Sequence, residues 1–142
     1  VKLCIDASVY GSFKLGDDTV VRALESADQI ILPAVSLGEL YAAFFHGVQS
    51  ARHILELERF LASSAVRIAS VDAAIAERYG ILTKHLQEHD LSLPVNHVWV
   101  AATALNEGAR LATLEGRYQQ IPGLVTLNLR ELGELADHRN PS

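Results

Sequence analysis

Three carboxylates, one imidazole and several small polar residues are the groups in this chain whose types could act together. Asp6 closes the apolar run of KLCID, Glu39 stands in SLGEL, and Glu115 in TLEGRY. Asn96 and His97 open NHVWVAATAL, an apolar run at helical spacing. Carboxylates crowded together resist joint ionisation, and a cation removes the conflict. An oxygen-rich pocket of this kind suits Mg2+ or Mn2+. Such an ion can activate a water and stabilise charge on a phosphate. Each residue also has a plainer role open to it. Asp6 can cap a turn or helix after its strand. Glu39 can close an S-x-x-E capping box with Ser36 as N-cap. Asn96 is a natural N-cap, Glu115 can be a solvated turn residue, His97 a polar surface residue, and Thr113 a strand-end hydroxyl.

The elements that would position these groups alternate. Apolar runs at 2–6, 29–34, 66–70, 110–113 and 124–128 read as strands. Residues 17–28, 36–47, 50–63, 71–89, 95–107 and 129–136 read as helices, with Asp17 opening the first and Gly47 and Gly108 ending the second and fifth. Continuous apolar strands between helices predict a parallel sheet covered on both faces, a three-layer α/β/α sandwich. In such sheets ligands bind beyond the carboxyl ends of the strands. That is where Asp6, Glu39 and Thr113–Glu115 fall. The aromatic-rich segment 37–45 carries Tyr41, Phe44 and Phe45, more apolar surface than one helix face requires.

Composition narrows the class. The chain has 142 residues, 49% of them apolar, which suits a single domain spanning 1–142 with a real core. One cysteine, Cys4, excludes an internal disulfide. No run resembles a membrane span or a signal peptide, so a cytoplasmic protein is expected. The formal net charge of −5 gives no overall basic field for nucleic acid. An acidic pocket loaded with metal can nevertheless meet a phosphate.

LCIDASVYG, LPAVSLGEL, LPVNHVWVAATAL and RLATLEGRYQQIPGLVTLN, in that order and over almost the whole chain, resemble the PIN domain family and, within it, the VapC-type toxins of bacterial toxin–antitoxin pairs. The resemblance implies a metal-dependent endoribonuclease with clustered acidic residues, using Mg2+ or Mn2+ on an RNA substrate. It also implies neutralisation by a cognate antitoxin and assembly as a homodimer. Carried over residue by residue, Asp6 and Glu39 match the family's acids. Ser8 stands where an asparagine is usual. Glu115 in Thr113-Leu114-Glu115 replaces the aspartate of T-x-D. His97 takes the acidic position of N-D. The expected metal and catalytic set is therefore Asp6, Glu39, Glu115 and His97. Ser8, Asn96 and Thr113 are expected to orient them, and Lys84 and Arg117, which flank the segments lining the mouth, are candidates for phosphate contact. Nitrogen suits Mn2+ and later metals better than Mg2+. Loss of one carboxylate leaves open a second reading, a PIN-fold protein with weak or no activity that binds RNA or a partner protein. DASV also suggests a haloacid dehalogenase-type phosphatase, but that chemistry needs a second aspartate where Ser8 stands.

Overall fold

Side chains on successive strand residues point to opposite faces, and here both faces are buried. In the computed structural model, which describes residues 1–139, β1 (Lys2–Ile5), β2 (Gln29–Pro33), β3 (Val66–Ala69), β4 (Arg110–Thr113) and β5 (Thr126–Asn128) form one parallel sheet in the order β3-β2-β1-β4-β5. Leu3, Ile5, Ile30, Leu32 and Ala112 enter one core, while Cys4, Ile31, Ala69 and Leu111 enter the other. This double burial is why the strands read as unbroken apolar runs.

The first core is closed by α1 (Ala7–Lys14), α2 (Asp18–Ser26), α3 (Ala34–His46), α4 (Ser50–Leu61) and α7 (Leu129–Arg139), through Val9, Tyr10, Val20, Leu24, Leu40, Leu57 and Leu129. The second is closed by α5 (Ala73–Glu88) and α6 (Val95–Glu107), through Ile75, Leu82, Leu86 and Val98. The result is the expected three-layer α/β/α sandwich. Among the described residues no helix is long and apolar enough to cross a membrane.

Three local expectations are corrected. The segment 7–14 is a helix that sequence patterning passed over. It is eight residues long, contains Gly11 and two serines, and buries only Val9 and Tyr10, so its apolar stripe is short. Second, Ser36 and Glu39 do not form a capping box. Helix α3 starts at Ala34 with Pro33 as N-cap, so Ser36 lies inside the first turn, buried, its hydroxyl without a partner. Proline's preset φ, −59° here, carries the chain from strand to helix without a loop. Third, Asn96 is not an N-cap. Pro94 holds that position in α6, which frees the Asn96 amide to reach outward.

Helix α6 is nearly surrounded. Val98 and every residue from Val100 to Ala104 are buried, against α5, α3 and the sheet. Close approach on so many sides accounts for the run of alanines. Trp99 stacks on Tyr79 of α5, ring centroids 3.8 Å apart. Gly108 ends the helix at φ 62°, the left-handed conformation that glycine takes without steric cost. Because Ala101 has no exposed surface, Ala101→Leu should overpack this contact and cost about 1–3 kcal/mol. Urea unfolding should show a lower midpoint at unchanged slope; a wild-type midpoint would mean that α6 is less tightly enclosed than the structure describes.

Candidate active site

Strand order reverses between β1 and β4, and such a switch leaves a crevice at the carboxyl edge of the sheet. Ile5 pairs with Ala112, so Asp6 and Thr113 leave the sheet side by side. Asp6 is only 5% exposed. Its Oδ1 accepts hydrogen bonds from the Val9 amide at 3.0 Å and the Ser8 hydroxyl at 2.7 Å, which caps α1. Neither bond uses Oδ2. Capping and an outward role thus fall to different oxygens of one carboxylate.

Glu39 and Asn96 meet across two helices. The Asn96 amide Nδ2 donates to Glu39 Oε2 at 3.1 Å, tying the start of α6 to α3. Thr113 shapes the third corner: its buried Oγ1 accepts from the Glu115 backbone amide at 2.9 Å. Glu115 then caps a short 3-10 turn, Gly116–Gln120, which is not among the elements read from the sequence. Its Oε1 accepts from the Arg117 amide at 3.0 Å. The guanidinium clasps both oxygens, Nε to Oε1 and Nη2 to Oε2, each at 3.1 Å. The Arg117 side-chain bonds first, and its backbone amide second, hold the Glu115 carboxyl at about 2. Arg117 is therefore engaged by a member of the cluster. Lys84, by contrast, forms a surface ion pair with Glu88 at 3.8 Å on α5 and makes no hydrogen bond or ion pair with these residues.

Sequence reasoning missed Tyr118. It has no exposed surface, and its hydroxyl has no hydrogen-bond partner. Burial pushes its pKa up, and the charges of Asp6, Cys4, Glu39 and Glu115 push it further. Its hydroxyl is thus buried on the side of the sheet edge where the three carboxylates raise its pKa. His97, in the first turn of α6, packs beside it with ring centroids 5.3 Å apart. The His97 Nδ1 is likewise buried without a partner, and His97 is among the charges acting on Glu115. Nothing in GRYQQ marks Tyr118, because its importance comes from what surrounds it.

Among the described residues no three carboxylate, imidazole or thiol groups lie close enough to chelate an ion together. Asp6 Oδ2 and the second oxygen of Glu39 remain as oxygen donors, while the orphaned His97 Nδ1 is buried. That set fits a largely hydrated hard cation, because Mg2+ commonly keeps several waters and takes only one or two carboxylates.

The Arg117 clasp makes a measurable claim. Carbon-detected NMR titration should find Glu115 with a pKa of about 2, and Arg117→Ala should return it toward the ordinary glutamate value of about 4.3. A carboxyl lowered on folding stabilises the native state above its unfolded pKa and loses that contribution as pH falls through the folded value. The contribution therefore fades between about pH 4.3 and pH 2, and the pair's exposure keeps it small. An unshifted wild-type Glu115 would rule out the clasp.

Comparison with known proteins agrees with this architecture. The family model described as PIN domain matches residues 3–124. Ribonuclease VapC4 of Mycobacterium tuberculosis is 24% identical over 95 residues, covering 67% of this chain and 73% of the relative. The structure of VapBC2 from Rickettsia felis, bound to a DNA fragment from its promoter, superposes with a TM-score of 0.81 at 21% identity, covering 89% of this chain and 98% of that one. VapBC-1 from nontypeable Haemophilus influenzae gives a TM-score of 0.80 at 18% identity, with coverage of 92% and 99%. At such identities the superpositions speak for the fold, and the match over 3–124 speaks for descent: the chain belongs to the PIN domain family.

Proposed function

We propose that this chain is a divalent-metal-dependent endoribonuclease of the VapC toxin type. The observation that carries this reading is the placement of Asp6 beside Thr113 at the carboxyl edge of the parallel sheet, with Glu115 anchored on Thr113 and Glu39 bonded to Asn96 at the start of α6. The relative named a ribonuclease and the neighbours in VapB–VapC assemblies support it. A bound Mg2+ or Mn2+ would supply an activated water and offset charge on the scissile phosphate. The chain's residues do the positioning. Asp6, held by Ser8, and Glu39, held by Asn96, are the primary oxygen donors. His97 takes the place of a third carboxylate and favours Mn2+ over Mg2+. Glu115 serves through water or after release from Arg117. An RNA phosphate can draw the Arg117 guanidinium away, since phosphate accepts the same forked donors as carboxylate. Lys84, paired with Glu88 on α5, lies outside this cluster and is not assigned a phosphate.

The partner proposed is a small antitoxin, with a second copy of the chain forming a homodimer. Phe45 is 68% exposed at the end of α3, stacked on Tyr41, and Val48 beside it is 85% exposed. That apolar surface supports an associating protein.

The second reading, a weakened PIN-fold binder, draws on His97 and on the Arg117 clasp. The two are separated by RNA cleavage assays with each metal. The wild type should cut better with Mn2+ than with Mg2+, Asp6→Asn should lose about a hundredfold or more, and His97→Asp should raise Mg2+-supported cleavage. If wild type and His97→Asp are inactive with both ions and calorimetry detects no metal binding, the nuclease reading gives way to the binder. Arg117→Ala should tighten Mn2+ binding without RNA, because Glu115 is then free, while weakening RNA binding. Unchanged Mn2+ affinity would remove Arg117 from the metal's surroundings.

A further inference from the structure

The last turn of α5 carries a second group of possible ligands, away from the carboxylates. In His85-Leu86-Gln87-Glu88-His89 the two histidines stand one helical turn apart. Their rings stack with centroids 4.1 Å apart and planes 29° from parallel. His85 is half-buried and His89 exposed. His89 Nδ1 lies 2.9 Å from the His85 carbonyl oxygen. A carbonyl has no proton to give, so Nδ1 carries the hydrogen and, in the neutral ring, Nε2 keeps its lone pair. A backbone carbonyl that fixes the tautomer and orientation in this way is a common support for a metal-bound histidine. Two imidazoles at i, i+4 on one helix face are also the spacing by which zinc-binding helices present their ligands.

The helix end favours a cation. His89 is the C-cap of α5, where the macrodipole is negative, and Asp90 follows it, while Glu88 is paired with Lys84. Imidazole nitrogen selects for late first-row ions over Mg2+. We propose that His85 and His89 form an imidazole site for Zn2+ or Ni2+, separate from the carboxylate cluster and independent of the nuclease reading. No third carboxylate, imidazole or thiol completes it among the described residues. The ion therefore keeps open positions for water, and the site is one of binding rather than hydrolysis.

Calorimetry of the untagged chain with ZnCl2 or NiCl2 alone tests this. The wild type should bind about one equivalent that excess Mg2+ does not displace. His85→Ala and His89→Ala should each weaken it by about tenfold or more, since a chelate loses its effective concentration with either arm. His46→Ala, at the exposed end of α3, should leave it unchanged. Ni2+ should broaden the ring resonances of His85 and His89 in the wild type, a readout that needs no variant. Absence of binding, equal affinity in His85→Ala, or loss in His46→Ala with His85 and His89 unbroadened would each overturn the proposal.

Discussion

The gathering of like charge at one sheet edge is the constraint to which the site answers. Asp6, Glu39 and Glu115 all act on one buried hydroxyl, Tyr118 Oη, whose own polar atom has no partner. Such an arrangement is stable only if each carboxylate is satisfied by something else. Each of the three has a different answer. Asp6 takes a backbone amide and a serine hydroxyl, Glu39 takes the amide of Asn96, and Glu115 takes a guanidinium. Only the last is a full opposite charge.

The helices contribute a diffuse share. In a parallel sheet every helix that follows a strand begins at the carboxyl edge, so α1 and α3 start where Asp6 and Glu39 lie. The Asn96–Glu39 bond brings the start of α6 to the same place. Helix amino-termini carry partial positive charge and favour anions within the first turn. Asp6, as the cap of α1, receives this most directly. Pro33 and Pro94 both serve as N-caps without side-chain bonds of their own. The first-turn amides of α3 and α6 are thereby left without capping side chains at the edge where the acids collect.

The Glu115–Arg117 pair and the orphaned His97 Nδ1 bear on the same question from opposite sides. The former quiets a negative charge in the cluster with the protein's own cation. The latter stands where the resemblance implies an acid, so the pocket has one carboxylate fewer. Both lower the negative charge seen by an incoming ion, and both make the pocket less demanding to fold around. Affinity for a hard cation falls for the same reason. Repulsion tolerated among acids is what a metal relieves on binding, so stability of the empty cluster and strength of metal binding oppose each other here.

Much of this was legible in the sequence, and the limits have physical causes. Continuous apolar strands between amphipathic helices determined a parallel sheet with two covered faces, and the family motifs placed Asp6, Glu39, Asn96–His97 and Thr113–Glu115 in order along it. Periodicity is a property of a segment and its core, so these survive folding. Helix α1 was not legible, because eight residues with two buried side chains make too short a stripe. The S-x-x-E pattern at Ser36–Glu39 misled, because a capping box is local chemistry and Pro33 had already begun the helix. Contacts between distant residues were beyond reach altogether: Asn96 bonded to Glu39, fifty-seven positions away, and Tyr118 buried against His97. The sequence by itself determined which groups lie at the carboxyl edge of the sheet. Only the tertiary structure decided which of them pair, because a hydrogen bond depends on side-chain directions that packing sets, and no spacing along the chain records those.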